Sequence, residues 1–120
     1  MNDTHLAGRR ILVIEDEALL SMDICDQIEA HGGVVVGPAS TMVHGYALLG
    51  DASPDGGILN IRIGDQMIYP LARVCMTAGI PIIFASSESR SSIPTEFEMV
   101  PLLDKPVDMI AAIKGLFPIE

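Results

Sequence analysis

The chain has 120 residues, 49% of them apolar, and a formal net charge of −9 from 16 acidic and 7 basic residues. This length suits one domain, residues 1–120, and the acidic balance without a basic stripe argues against direct nucleic-acid binding. No apolar run approaches the roughly 20 residues of a membrane-spanning helix. Residues 1–10 also lack the apolar stretch of a secretory signal. We therefore predict a cytoplasmic protein without a membrane segment, in which Cys25 and Cys75 are free core thiols.

The first unit of the chain is a strand followed by a helix. Residues 11–14 are β-branched and apolar and predict a strand. Residues 17–31 predict a helix, which Gly32 and Gly33 end. Its apolar positions recur at helical spacing and comprise Leu19, Leu20, Ile24 and Ile28. This pattern predicts that these four residues face the core.

Two further units repeat this alternation. Residues 34–36 predict a second strand, and Ser40 is a candidate N-cap for a helix that ends near residue 49. A third strand is predicted at residues 56–60, and a third helix at residues 66–78. Because both strands are apolar throughout, the sheet should be parallel and covered on both faces.

The last part of the chain contains one irregular segment. Residues 82–84 predict a fourth strand, and residues 100–103 and 107–117 predict a fifth strand and its helix. Between them, residues 85–99 are rich in serine and contain Pro94, so any fourth helix must be short or frayed. The whole pattern predicts a doubly wound, flavodoxin-like (βα)5 fold with a five-stranded parallel sheet between two helical layers.

Polar side chains follow four of the predicted strands. They are Glu15, Asp16, Asn60, Ser86 and Lys105. Parallel strands share one carboxyl edge, so we expect these side chains to lie together. Two adjacent carboxylates about 4 Å apart repel by roughly 4 kcal/mol at an effective dielectric of 20. The pair therefore favours a nearby cation such as Mg²⁺, for which oxygen ligands are suited.

Four segments carry a resemblance to a known family. Residues 11–17, 54–60, 81–86 and 103–107 resemble the receiver domain of two-component response regulators, of the chemotaxis-receiver kind. The 44 positions from Asp16 to Asn60 agree with that family's spacing. The segment after residue 84 is similar to a free-standing subgroup with a remodelled fourth helix.

The resemblance implies a role for each strand-end residue. The implied Mg²⁺ ligands are Glu15, Asp16, Asn60 and the main-chain carbonyl of Arg62. Ser86 would be the switch hydroxyl, and Lys105 would bind phosphoryl oxygens. The family also implies a cis bond between Lys105 and Pro106, and no enzymatic activity of its own. The chain departs from the family at Leu102, where an aromatic residue is common, and at Asn60, where the phospho-acceptor aspartate is expected.

The departure at Asn60 changes the expected chemistry. An amide oxygen carries no full charge, so it is a poor nucleophile towards phosphorus and a weaker Mg²⁺ ligand than a carboxylate. We therefore expect no phosphorylation at this position and weak or absent Mg²⁺ binding. The residues alone do not distinguish a natural replacement from an engineered one.

Three hypotheses follow. The first is a pseudo-receiver that acts through protein contacts, with a sensor histidine kinase or phosphotransferase and a downstream protein as partners. The second is a receiver that is phosphorylated after Asn60 deamidates, or at another residue. The third is a flavodoxin-like cofactor-binding protein. We expect a monomer or weak homodimer whose contact surface includes Ile93, Phe97 and Met99.

Overall fold

Seven strands and four helices build the protein, which we describe from a computed structural model covering residues 6–118. The strands are β1 (Arg10–Ile14), β2 (Val34–Ala39), β3 (Gly56–Leu59), β4 (Arg62–Ile63), β5 (Gln66–Met67), β6 (Ile82–Ala85) and β7 (Leu102–Leu103). The helices are α1 (Ala18–Ala30), α2 (Met42–Ala52), α3 (Tyr69–Thr77) and α4 (Met109–Leu116). Within residues 6–118, no helix is long and apolar enough to cross a membrane.

The main sheet is parallel and has the strand order β2-β1-β3-β6-β7. One apolar cluster packs α2 and α3 on one face, and a second cluster packs α1 and α4 on the other. This confirms the predicted doubly wound, flavodoxin-like fold. Only two residues of the predicted fifth strand, those of β7, pair with β6.

The strand register brings the carboxyl ends of β1, β3 and β6 to one level. Ile14 pairs with Leu59, and Leu59 pairs with Phe84. Because the chain leaves the sheet just after these residues, the next polar side chains meet at one edge. This edge is where α/β folds of this kind place their sites.

A small antiparallel ribbon replaces the start of the predicted third helix. Strands β4 and β5 pair through Arg62–Met67 and Ile63–Gln66, and Gly64 in the turn has a positive φ of 61°. A two-residue turn with this conformation suits a hairpin, and glycine adopts it without steric cost. Helix α3 therefore begins at Tyr69, and the expectation of a helix from residue 66 was wrong at its first turn.

The N-cap of α2 also differs from the prediction. Thr41, not Ser40, is the cap residue, and its hydroxyl oxygen accepts a hydrogen bond from the His44 amide at 3.1 Å. Both residues have hydroxyl side chains, so composition favoured neither. The backbone determines which residue is the cap, because only the residue immediately before the first helical turn can reach an unpaired amide of that turn.

The apolar stripe of α1 is narrower than predicted. Ile24 and Ile28 are buried, but Leu19 is 82% exposed. The buried face runs through Ser21, Ile24 and Ile28 at helical spacing, and Leu19 lies two positions, or about 200°, from Ser21 around the helix. Both cysteines are free as predicted; Cys75 is buried, while Cys25 is only half-buried.

Two short 3₁₀ turns, Arg90–Ser92 and Thr95–Phe97, occupy the place of a fourth helix. We call residues 87–99 the strap. Phe97 is fully buried and Ile93 nearly so, which contradicts the expectation that they form a contact surface; Met99 is 89% exposed. Their burial follows from the turns, which direct both side chains into the cluster beneath β6.

Candidate functional site

The strand-end residues meet in an open cleft of about 240 Å³. The residues that line it are Asp16, Glu17, Asn60, Arg62, Gly64, Ser86, Ser87, Glu88 and Lys105. Glu15 lies behind them with its side chain 1% exposed. Asn60 and Ser86 are buried too. The structure thus brings together all the candidate residues of this site.

The side-chain amide of Asn60 lies at the centre of three oxygen atoms. Its Nδ2 donates to the main-chain carbonyl of Arg62 at 2.8 Å. It also contacts a carboxylate oxygen of Glu15 at 3.2 Å and one of Asp16 at 3.3 Å. An amide group has two N–H donors, so these three oxygen atoms share two donors. Asn60 therefore stabilises a group of acceptors that would repel one another without a donor between them.

Glu15 is a buried carboxylate with two hydrogen-bond donors and one ion-pair partner. Its Oε2 accepts from the Glu17 amide at 3.1 Å as well as from Asn60. Its Oε1 makes no hydrogen bond but lies 3.3 Å from Nζ of Lys105. Burial raises the pKa of Glu15 above its ordinary value, and the Glu17 amide and Lys105 partly offset this effect. Lys105 therefore favours the charged form of this buried group.

The ribbon fixes the position of Asp16. One carboxylate oxygen of Asp16 accepts from the Gly64 amide at 2.9 Å, and the other contacts Asn60. The same ribbon supplies the Arg62 carbonyl through β4. Gly64 was not among the predicted site residues; the sequence signal for it was the Gly-Asp pair between two short polar-apolar runs, which is typical of a hairpin turn.

Ser86 and Lys105 line the same cleft as Asn60 and have partners of their own. The Ser86 hydroxyl accepts from the Glu88 amide at 3.1 Å. Besides Glu15, Lys105 contacts Glu17 at 3.4 Å. The bond between Lys105 and Pro106 is cis, as the family resemblance implied. Both side chains therefore already have polar partners within the protein.

Two glutamates of the cleft were missed by sequence reasoning. Glu17 holds Lys105, and the Glu88 carboxylate lies 3.8 Å from the guanidinium of Arg62. Glu17 was assigned only to the start of a helix, and Glu88 only to a serine-rich loop. Nothing local distinguishes a glutamate that pairs across a cleft from a solvated one, so neither position carried a usable signal.

The implied Mg²⁺ ligands converge as the resemblance requires, but the amide nitrogen lies where they meet. Mg²⁺ needs oxygen atoms at about 2.0 to 2.1 Å in near-octahedral arrangement. Here Glu15, Asp16 and the Arg62 carbonyl all accept from Nδ2 of Asn60 instead. In this arrangement an uncharged N–H donor lies between these oxygen atoms, so with this orientation of Asn60 the site does not fit a metal ion.

Comparison with solved structures places the chain among response regulators. It matches SdrG from Sphingomonas melonis Fr1 at 31% identity and a TM-score of 0.78, covering 93% of this chain and 94% of that one. It matches the response regulator PhyR from Brucella abortus at 28% identity and a TM-score of 0.77, and the match covers 96% of this chain and 51% of that one. The anti-anti-sigma factor PhyR from Bartonella quintana matches at 26% identity and a TM-score of 0.73, and the match covers 91% of this chain and 46% of that one.

The chain thus spans about half the length of the Brucella protein. No protein-family model and no curated protein matches it.

Proposed function

The chain belongs to the receiver family of response regulators, and we propose that it is a pseudo-receiver, which signals through protein contacts without accepting a phosphoryl group at position 60. The observation that carries this proposal is the Asn60 amide, which bonds the three oxygen atoms of the site. In this role Asn60 stabilises the acidic pair without a metal ion.

The chemistry of phosphoryl transfer supports the proposal. A carboxylate nucleophile needs a lone pair in line with the leaving group, and cations must neutralise the transferred oxygens. The Asn60 side chain directs an N–H donor into the site and forms no acyl phosphate. Lys105 is committed to Glu15 and Glu17, which lowers its availability for a phosphoryl group. The domain therefore rests in one state under conditions that would phosphorylate an ordinary receiver.

Protein partners are proposed from the relatives. PhyR from Bartonella quintana is described as an anti-anti-sigma factor, so that protein acts in a signalling pathway through other proteins. For this chain we propose a sensor histidine kinase or phosphotransferase on one side and a downstream regulatory protein on the other. We further propose that it works in the cytoplasm and has no catalytic activity of its own.

A beryllofluoride titration with Mg²⁺ tests the proposal. SdrG has been solved in a BeF3-activated conformation, so the mimic suits this fold. We expect no binding by the native chain and saturable, Mg²⁺-dependent binding by Asn60→Asp, observed as amide shifts around residues 60 and 86. Gln66→Glu is the matched control, because it adds the same charge at an exposed position of β5. Binding by the native chain would refute the proposed function, and failure of Asn60→Asp to bind would refute the role assigned to position 60.

A further inference from the structure

An open groove of about 520 Å³ lies between α2 and α3. Pro54 and Ile80 are among the residues that line it, and they precede β3 and β6. The groove therefore lies at the amino ends of these strands, at the sheet edge opposite the cleft. None of its lining residues lines the cleft as well. Its volume is within the range of pockets that bind small groups, and binding there would not involve the contacts of Asn60.

Apolar side chains of both helices line this groove and remain accessible to solvent. Tyr46 of α2 is 40% exposed, and Val74 of α3 is 46% exposed. Val43, one turn before Tyr46, is also exposed and extends the same face of α2. Within residues 6–118, the Tyr46 ring stacks on no other aromatic ring and meets no cationic side chain. The groove therefore offers an aromatic face and an aliphatic wall to a ligand.

The carboxyl end of α2 supplies hydrogen-bond acceptors at the same groove. Within residues 6–118 the Ser53 amide makes no hydrogen bond, Pro54 has no amide hydrogen, and the Asp55 amide donates to β1. The main-chain carbonyls of Gly50 and Asp51 therefore have no amide partner in the chain that follows the helix. Gly50 lines the groove, and a helix carries partial negative charge at this end. The groove thus suits a positively charged hydrogen-bond donor.

A guanidinium already binds the neighbouring acceptor of this helix end. Nε of Arg10 donates to the main-chain carbonyl of Ala52 at 3.0 Å. Arg10 offsets only part of the local negative charge, because Asp51 and Asp55 both carry exposed carboxylates. Within residues 6–118, Asp51 has no ion-pair partner. The chain as a whole has a formal net charge of −9, so the local and the overall charge favour a cationic occupant and oppose a second copy of this chain.

We propose that this groove binds an arginine side chain presented by a partner protein. The guanidinium stacks on Tyr46 and donates to the main-chain carbonyls of Gly50 and Asp51, and the aliphatic stem packs against Val74. Arginine suits the groove better than lysine, because its planar group stacks on aromatic rings and offers several N–H donors in fixed directions. This inference goes beyond the proposed function and does not depend on it, since the groove and the cleft share no residue.

Amide chemical shifts of the whole chain test the proposal in a titration with the peptide acetyl-Ala-Leu-Arg-Leu-Ala-amide. We expect saturable shifts in residues 46–54 and 74–80. The same peptide with uncharged citrulline in place of arginine should bind about tenfold more weakly, because the helix end and the Tyr46 ring both favour a cation. Asp51→Asn should weaken binding of the arginine peptide about threefold. Asp26→Asn, the same change at an exposed position of α1, should leave binding unchanged.

Gly50→Leu fills the groove without strain in the helix. Open space surrounds the position of a Cβ at Gly50, and leucine has the higher helix propensity. This variant should fold and lose the peptide shifts, whereas Ala47→Leu, which adds the same side chain at another exposed position of α2, should retain them.

Peptide shifts that persist in Gly50→Leu would overturn the proposal, as would equal binding of the citrulline peptide or shifts centred on the cleft. Tighter binding of free arginine than of the peptide would make the occupant a small molecule and would also overturn it, because the helix end should repel the free carboxylate. Concentration-dependent shifts of the chain alone that Gly50→Leu removes would identify a second copy as the occupant, against the proposal.

Discussion

Asn60→Asp replaces the central donor of the site with a third carboxylate. The native amide nitrogen lies 3.2 Å from Glu15 and 3.3 Å from Asp16, and it also satisfies the Arg62 carbonyl. The variant loses all three contacts and places negative charge beside two carboxylates. Without metal, folding should therefore become less favourable, although no volume in the core changes.

The size of the effect follows from distance and exposure. Two unit charges about 3.3 Å apart repel by about 5 kcal/mol at an effective dielectric of 20. Asp16 is exposed, so solvent screens its share, and Lys105 at 3.3 Å from Glu15 offsets part of the rest. We expect the free energy of unfolding at neutral pH to fall by about 2 to 4 kcal/mol, between the cost of an unsatisfied buried polar group and that of an unpaired buried charge.

Urea unfolding in the presence of a chelator measures this loss, and repeating it with millimolar Mg²⁺ measures the recovery. Repulsion by the neighbouring carboxylates should raise the pKa of the carboxyl at position 60 in the variant, as burial already raises the pKa of Glu15 in the native chain. The folded variant then holds more protons than the unfolded one above the ordinary carboxyl pKa. The difference in free energy of unfolding between the native chain and the variant should therefore grow as pH rises through the raised pKa, and it should shrink as pH falls. A variant as stable as the native chain without metal would refute this reasoning.

The remaining predictions concern the scaffold. Thr41→Ala should lower the free energy of unfolding by about 1 kcal/mol through loss of the α2 cap, whereas Ser40→Ala should change it little; equal losses in urea unfolding would contradict the cap assignment. Burial raises the pKa of Cys75 to about 11 from 9.0. The folded state therefore keeps the thiol proton that the unfolded state loses, and the free energy of unfolding should fall as pH rises from 9 to 11. Cys75→Ala should make this fall in the free energy of unfolding less steep. At mild pH, a thiol reagent should label half-buried Cys25 before Cys75; the reverse order would contradict the packing. Leu19→Lys should change stability by less than about 0.5 kcal/mol in the same assay, since Leu19 is 82% exposed.

The sequence was sufficient for the layers of the fold because the strands carry continuous apolar runs. Ile11 to Ile14 and Ile82 to Ala85 are buried throughout, as parallel strands between two helical layers must be. The pattern failed at the ribbon after Asn60, whose strands of two residues are too short to show a period. It also failed at Leu19, because an apolar residue near a helix start does not reveal which way it faces.

The candidate site was predictable in membership but not in its contacts. Glu15, Asn60, Ser86 and Lys105 meet because the register of β1, β3, β6 and β7 brings their ends together. The three oxygen atoms around the Asn60 amide depend on the path of the chain after β3. This path brings the carbonyl oxygen of Arg62 to 2.8 Å from Nδ2 of Asn60. Such a return is a property of the ribbon turn, and side-chain type alone does not encode it.

Intact mass after incubation with acetyl phosphate and Mg²⁺ tests the central claim most directly. A phosphoryl group adds about 80 Da and brings about −1.5 to −2 charge. The native chain should show no adduct, and Asn60→Asp should gain one that maps to position 60. An adduct on the native chain would contradict the account, and its position would distinguish a converted Asn60 from another acceptor residue.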